Sequence, residues 1–293
     1  MTPEKRPSAM ISNYLRLVKF SHTLFAMPFA LASFFIAVYS GEGFISWRLL
    51  LLVIAAMVLA RNAAMAFNRY IDRHIDKANP RTSQREIPAG VIPARRVLAF
   101  IVINSLLFMF VAWLINPLCF ALSPVALLVI LGYSLTKRFT ALCHLILGLG
   151  LALAPVGAWL AVTGSFALTP ILIGIAVLLW VAGFDIIYAL QDEKFDIEHR
   201  LRSIPAAIGR KNAMALSSIL HTGSFAALVA VAFITGFAIP GWSATLIFGA
   251  MLLYQHLIIS PKDISRVNLA FFTTNGIASI IWGAGVILDQ YLA

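Results

Sequence analysis

The chain is poor in charge. Asp, Glu, Lys and Arg make up 12% of its 293 residues, against 61% apolar residues. That is about half the charged share of a soluble domain, and it excludes an ordinary water-soluble α/β enzyme. Cysteine is equally scarce. Cys119 and Cys143 both lie inside apolar runs, so neither a disulfide framework nor a C-x-x-C zinc site is available. Both read as packing residues. The six histidines are scattered, with no pair at ligand spacing, which argues against zinc. The N-terminus carries Lys5, Arg6, Arg16 and Lys19 but lacks the short apolar core and small-residue cleavage site of a secretory signal. The first apolar run is therefore expected to be retained. Alternating apolar segments are also missing, so strands are not a rival reading.

What the chain has is long apolar runs. Nine can be marked, at 22–40, 49–68, 97–115, 118–135, 141–162, 170–190, 213–235, 242–260 and 269–288, each near the ~20 residues that span a bilayer core. Many hold Gly, Pro, Ser or Thr, which membrane helices tolerate and use for close contacts. The expected fold is all-α, a polytopic membrane protein with nine transmembrane helices and one domain over residues 1–293.

The formal charge of +10 is unevenly spread, so it does not describe a nucleic-acid surface. Basic residues fill the N-terminus, the loops at 69–96 and 194–211, Lys137-Arg138, and Lys262 with Arg266; the intervening loops hold only Arg48. The positive-inside rule puts the basic set in the cytoplasm. An odd helix count then puts the N-terminus in the cytoplasm and the C-terminus across the inner membrane. Trp47, Trp113 and Trp242 fall near the far boundary, where interfacial aromatics belong.

Two long loops begin with acidic rows. Asn68, Asp72 and Asp76 read N-x-x-x-D-x-x-x-D, and Tyr188, Asp192 and Asp196 read Y-x-x-x-D-x-x-x-D. Four-residue spacing on a helix puts each triplet in one row. Stacked carboxylates repel unless a cation lies between them. Each row leads into a basic loop and an Ile-Pro-Ala tract, at 87–89 and 204–206. The offset of about 120 residues suggests duplication. The two units, roughly 22–162 and 170–288, lie on one side of the membrane, so the repeat is parallel.

Four carboxylates at one mouth would form a hard-oxygen site suited to Mg²⁺, which takes one or two carboxylates plus waters and phosphate oxygens. Lys77, Arg81 and Arg85 follow the first row, Arg200 and Arg202 the second, and Lys137 with Arg138 end the fourth run. Acids and bases gathered this way make a diphosphate clamp; the competing reading is that the bases only set topology and bind headgroups. Arg61 and Asp185 are intramembrane charges, which default to functional or paired positions. Each lies seven residues before a row member and extends that row inward, or the two bridge their helices. His74 points away from the row.

The two rows resemble the paired aspartate motifs of the UbiA superfamily of intramembrane aromatic prenyltransferases, and the nine-helix pattern extends the resemblance over nearly the whole chain. The resemblance implies that Asp72, Asp76, Asp192 and Asp196 bind two Mg²⁺ ions holding an isoprenoid diphosphate. Asn68 and Tyr188 match the leading polar positions. Arg61, Arg81, Arg85 and Lys137 match bases around the diphosphate. The tracts 67–72, 79–82, 85–90 and 184–189 are similar to the bacterial 4-hydroxybenzoate polyprenyltransferase group. One departure is Asn68-Arg69, where many ubiquinone-pathway members have Asn-Asp. That pair and Ser21-His22-Thr23 resemble members placed in menaquinone synthesis through the futalosine route.

The implied reaction is Mg²⁺-assisted ionisation of a polyprenyl diphosphate and attack on an aromatic hydroxy acid, 4-hydroxybenzoate or alternatively a dihydroxynaphthoate. Lipid is the implied surrounding, and no obligate protein partner is inferred. The rival from another class is an anion transporter, which places its site near the midplane between inverted repeats. A soluble prenyl diphosphate synthase is excluded by the spans and by its D-D-x-x-D spacing.

Overall fold

Apolar runs in lipid must satisfy their backbone internally, and a helix does so within one segment. The computed structural model describes residues 7–18, 25–41 and 45–292, and those residues are helical with no strand among them. In order the helices are α1 Pro7–Leu17, α2 Met27–Tyr39, α3 Trp47–Ile71, α4 Arg73–Ala78, α5 Ala94–Ile115, α6 Pro117–Thr136, α7 Cys143–Thr163, α8 Leu168–Ala189, α9 Glu193–Glu198, α10 Ile204–Thr235, α11 Ile239–Ile258 and α12 Asn275–Leu292. A π-helical turn, Leu269–Thr274, leads into α12.

Among the described residues seven helices are long and apolar enough to cross a membrane: α3, α5, α6, α7, α8, α10 and the continuous segment Leu269–Leu292. The nine expected runs are therefore not all matched. The run at 22–40 yields the 13-residue α2, short for a bilayer core, and residues 22–24 lie outside the described set. The run at 242–260 yields α11, whose end carries Tyr254, Gln255 and His256 and dilutes its apolar character. The run at 213–235 starts earlier, at Ile204, and turns at Gly209, whose φ of 75° suits glycine.

Local chemistry sets the helix ends. Ser46, Asn116 and Ser203 accept hydrogen bonds from the amides of Leu49, Cys119 and Ala206, capping α3, α6 and α10. Gly164 and Gly236 close α7 and α10 in the left-handed conformation. Close packing then assembles the bundle. A Cβ on Gly148 of α7 would lie 2.4 Å from the Leu178 carbonyl oxygen of α8. The core holds Phe29, Trp180, Phe248 and Trp282, with the Phe29 and Trp282 rings stacked at 4.7 Å. Outward positions such as Leu128, Phe233 and Leu257 are exposed and apolar, as lipid contact requires.

The acidic rows straddle helix breaks. Helix α3 ends at Ile71 and α8 at Ala189, and α4 and α9 restart within a few residues. In the first row, backbone bonds from Asp72 to Asn68 (2.9 Å) and from Asp76 to Asp72 (2.7 Å) keep the four-residue register through the break. In the second, the Asp192 amide turns to the Ala189 carbonyl (3.0 Å), and the four-residue bond resumes from Asp196 to Asp192 (2.8 Å).

Candidate active site

Each motif aspartate meets a base. Arg138 donates to Asp72 at 2.8 Å, Arg85 to Asp76 at 2.6 Å, and Lys137 lies 2.7 Å from Asp196. Arg81 forms a fork on Asp192, with its Nε 3.0 Å from Oδ1, and also donates to the Tyr188 hydroxyl at 3.0 Å. Asn68 donates to Asp72 at 3.2 Å, and Asn79 donates to Asp192 at 3.1 Å. The first loop therefore reaches over to the second row through Asn79 and Arg81. The end of α6 joins the rows from behind, since Arg138 holds one and Lys137 the other.

The pairings set the charge on the acids. Burial pushes Asp192 up, but the hydrogen bonds and charge of Arg81, with Asn79 and Lys137, more than offset it and hold the carboxyl below its ordinary range. Burial dominates at Asp72 and raises it, with the Arg138 and Lys137 charges opposing. One geometry thus gives two carboxylates of different basicity.

A cavity of about 630 Å³ opens behind these groups. Asn68, Asp72, Asp76, Arg81, Arg85, Lys137, Tyr188 and Asp192 line its polar mouth, and Val53, Met57, Leu122, Val156 and Leu160 line its apolar depth. Asp196 is fully buried and stands off the cavity wall.

The donor set fits a hard cation. Asp76 Oδ2 and Asp196 Oδ2 are buried without a hydrogen-bond partner, and unpartnered carboxylate oxygens are what Mg²⁺ takes. Among the described residues no three His, Cys, Asp or Glu side chains are gathered at metal-ligand spacing, and each motif aspartate is paired with a base. Each row offers an ion one or two carboxylates and leaves the remaining positions to water or phosphate oxygens.

The remaining charged residues near the rows take other places. Arg202 does not reach an acid; its guanidinium donates to the Phe139 carbonyl at 2.8 Å and its amide to the Lys137 carbonyl. It braces the turn after α6. Arg81 serves the second row, not the first. Asp185 does not pair with Arg61; it bonds His144 at 2.7 Å. Arg61 lines the cavity with Nε unpartnered. Lys77, His74 and Arg200 are exposed. Ser21, His22 and Thr23 lie outside the described residues.

Three residues went unassigned from sequence. His144 and Asn79 have no spacing signal, since their partners are 41 and 113 residues away. Arg69 departs from the motif pattern, and its role is not legible there. It is 4% exposed on the cavity wall, with Nε and Nη1 unpartnered.

Comparison with known proteins completes the picture. The profile of the UbiA prenyltransferase family matches residues 26–277. The chain is 28% identical over 249 residues to the 4-hydroxybenzoate octaprenyltransferase of Tolumonas auensis, covering 85% of this chain and 86% of that one. It is 29% identical to the protein of the same name from Vesicomyosocius okutanii, with 85% and 91% covered. A UbiA homolog from Aeropyrum pernix K1 has the same fold, with a TM-score of 0.83, 33% identity, and 92% and 98% of the two chains covered. A more distant fold relative, a UbiA homolog from Archaeoglobus fulgidus at 21% identity and TM-score 0.74, covers 96% of this chain and 100% of its own, and was solved bound to DMAPP and Mg²⁺. The transporter reading has no support among these matches. With the profile spanning most of the bundle and both acidic rows, the chain belongs to the UbiA prenyltransferase family, as a multi-pass membrane enzyme.

Proposed function

We propose that the protein transfers a polyprenyl group from polyprenyl diphosphate to 4-hydroxybenzoate, in a Mg²⁺-dependent step of respiratory quinone synthesis. The observation that carries this reading is the set of four acid–base pairs, of which Asp72, Asp76 and Asp192 with Arg81, Arg85 and Lys137 line the polar mouth of an apolar cavity. The names of the octaprenyltransferase relatives support the acceptor.

In this reading Asp72 and Asp76 would hold one Mg²⁺ and Asp192 and Asp196 a second. Bound Mg²⁺ would neutralise charge on the diphosphate and its leaving oxygens. Arg81, Arg85 and Lys137 exchange carboxylate for phosphate oxygens, and their charge stabilises the departing diphosphate. Arg138 and Asn68 orient Asp72, and Tyr188 orients Arg81. Arg61 lies deeper and faces the acceptor. Arg202 supports the wall behind Lys137. The allylic C–O bond breaks, the ring carbon ortho to the hydroxyl attacks the allylic carbon, and the ring loses a proton. The apolar depth keeps water from the cation and takes the start of the tail, whose remainder lies in lipid.

The same reading sets the protein in the inner membrane as one domain with nine crossings, α2 and α11 completing the set. The N-terminus and both acidic mouths face the cytoplasm and the C-terminus the far side. The two parallel halves are supported by the recurring order of helix, break, short helix, loop and helix in α3–α5 and α8–α10.

A dihydroxynaphthoate acceptor, on the route to menaquinone, is the second reading. Arg69, with its buried Nε and Nη1 lacking a hydrogen-bond partner, is what favours it, since the resemblance implies an Asp at that position in many ubiquinone-pathway members. The deciding assay offers membranes, Mg²⁺ and labelled polyprenyl diphosphate first 4-hydroxybenzoate and then dihydroxynaphthoate. Transfer is expected to vanish in EDTA, to return with Mg²⁺, and to be abolished by Asp72→Ala or Asp192→Ala. Undiminished transfer in EDTA rules the mechanism out.

A further inference from the structure

Prenylation of a ring carbon releases a proton, and the cavity must hold a group to take it. The four motif aspartates are poor choices, because each is engaged by Arg or Lys. A full positive charge at hydrogen-bond distance lowers the basicity of a carboxylate. Asp185 differs. It lines the same cavity, and its hydrogen-bond partner is an imidazole, His144, at 2.7 Å.

The imidazole is itself held. His144 is 3% exposed, and its Nε2 lies 3.3 Å from the Ile204 amide at the start of α10. An amide N–H can only donate, so Nε2 accepts and Nδ1 carries the ring hydrogen. Nδ1–H then donates to Asp185 Oδ2. The pair is a carboxylate oriented by a neutral imidazole, which is in turn fixed by backbone.

The position along α8 suits the reaction. Asp185, Tyr188 and Asp192 share one face, and Asp185 stands seven residues, about 10 Å, inward of Asp192. That is roughly the span from a diphosphate held at the mouth to the ring beyond its first allylic carbon.

We propose that Asp185 is the base that removes the acceptor's ring proton, and that His144 is the positioning residue that aims it. This rests on the aromatic prenyl transfer proposed above. As the new carbon–carbon bond forms, the allylic C–O electron pair leaves with diphosphate. Asp185 then takes the proton from the substituted ring carbon, and the C–H electron pair restores aromaticity. The neutral acid afterwards gives the proton to water at the mouth.

The test uses the full-length protein in nanodiscs with Mg²⁺, geranyl diphosphate, and 4-hydroxybenzoate or dihydroxynaphthoate, whichever the wild type prenylates. The acceptor is supplied with hydrogen or deuterium on the ring carbons next to its hydroxyl groups. Asp185→Asn is expected to bind geranyl diphosphate as the wild type does while kcat falls about 100-fold or more, the usual range for loss of a general base. His144→Ala is expected to lower kcat with KM for geranyl diphosphate unchanged. His144→Asn, whose amide can still donate to Asp185, should recover part of that loss. Both Asp185→Asn and His144→Ala should show a larger deuterium isotope effect than wild type, because proton removal becomes slow. A purely structural role would not move the isotope effect. An unchanged isotope effect in the two variants, or near-normal turnover of Asp185→Asn, overturns the proposal. Failure of the wild type to prenylate either acceptor strikes instead at the reaction on which it rests.

Discussion

At the residue scale, Arg81 is the most consequential cation. It bridges the two halves of the site, bonding both Asp192 and Tyr188 from the loop after the first row. Arg96, at the start of α5, is exposed and has no ion pair among the described residues. Arg81→Ala should therefore raise KM for the prenyl diphosphate and lower kcat, at a cost of about 2–4 kcal/mol in transition-state stabilisation. Arg96→Ala should leave both constants close to wild type. Steady-state assays on membranes normalised for protein decide between them, and equal losses would refute the clamp. A pH consequence follows from the same contact. Asp192 is depressed in the folded protein, so its contribution to stability is present above the ordinary carboxylate value of ~3.9. It is lost as pH falls through the lower folded value. In EDTA, wild type should melt above Arg81→Ala at neutral pH, and the gap should close on acidification. A gap that persists at the lowest pH would contradict the assignment.

At the element scale, close helix contacts hold the cavity walls apart at fixed distances. Helices α7 and α8 touch at Gly148, where even a methyl group meets the Leu178 carbonyl at 2.4 Å. Backbone cannot yield there as a flexible side chain would. Gly148→Ala is expected to cost about 1–3 kcal/mol by overpacking and to shift His144, four residues earlier on α7, away from Asp185. Gly132→Ala on α6 has nothing within 4 Å of the new methyl and should be neutral or slightly stabilising. Thermal unfolding of both variants in detergent reads the difference. The π-helical turn shows a related device. Asn275 donates to the carbonyls of Ala270 and Phe271 and accepts from Trp180 and Gln255. That buried amide satisfies backbone groups in the turn and fixes Phe271, whose ring packs 4.1 Å from Tyr188. The aromatic wall of the mouth is thereby tied to the helix core.

At the scale of the whole molecule, apolar side chains face outward along the bundle while charge collects at the mouth of one cavity. Lys77 and His199 are exposed on the loops after the two rows. Cys119 and Cys143 lie in α6 and α7. In a background lacking both cysteines, Lys77→Cys and His199→Cys should react with an impermeant maleimide only from the cytoplasmic face, and Leu292→Cys only from the opposite face. Labelling of Lys77→Cys from outside would reverse the proposed orientation.

Much of this was legible in the sequence because it is local. A helix fixes the four-residue rows whatever surrounds it, and the first row keeps that register even through the break between α3 and α4. Long apolar runs must be helical in lipid, so the all-α fold followed from composition. The bases were also identifiable, since Arg81 and Arg85 follow the first row and Lys137 and Arg138 end the fourth apolar run. Which base meets which acid was not legible. Arg81 passed over the nearby first row for Asp192, Arg138 reached Asp72 from α6, Arg202 turned to a carbonyl, and Asp185 found His144 rather than Arg61. Those choices depend on where separate helices cross and how far a side chain extends from each. Periodicity says which face a residue occupies on its own helix; only the packing of one helix against another decides what that face meets.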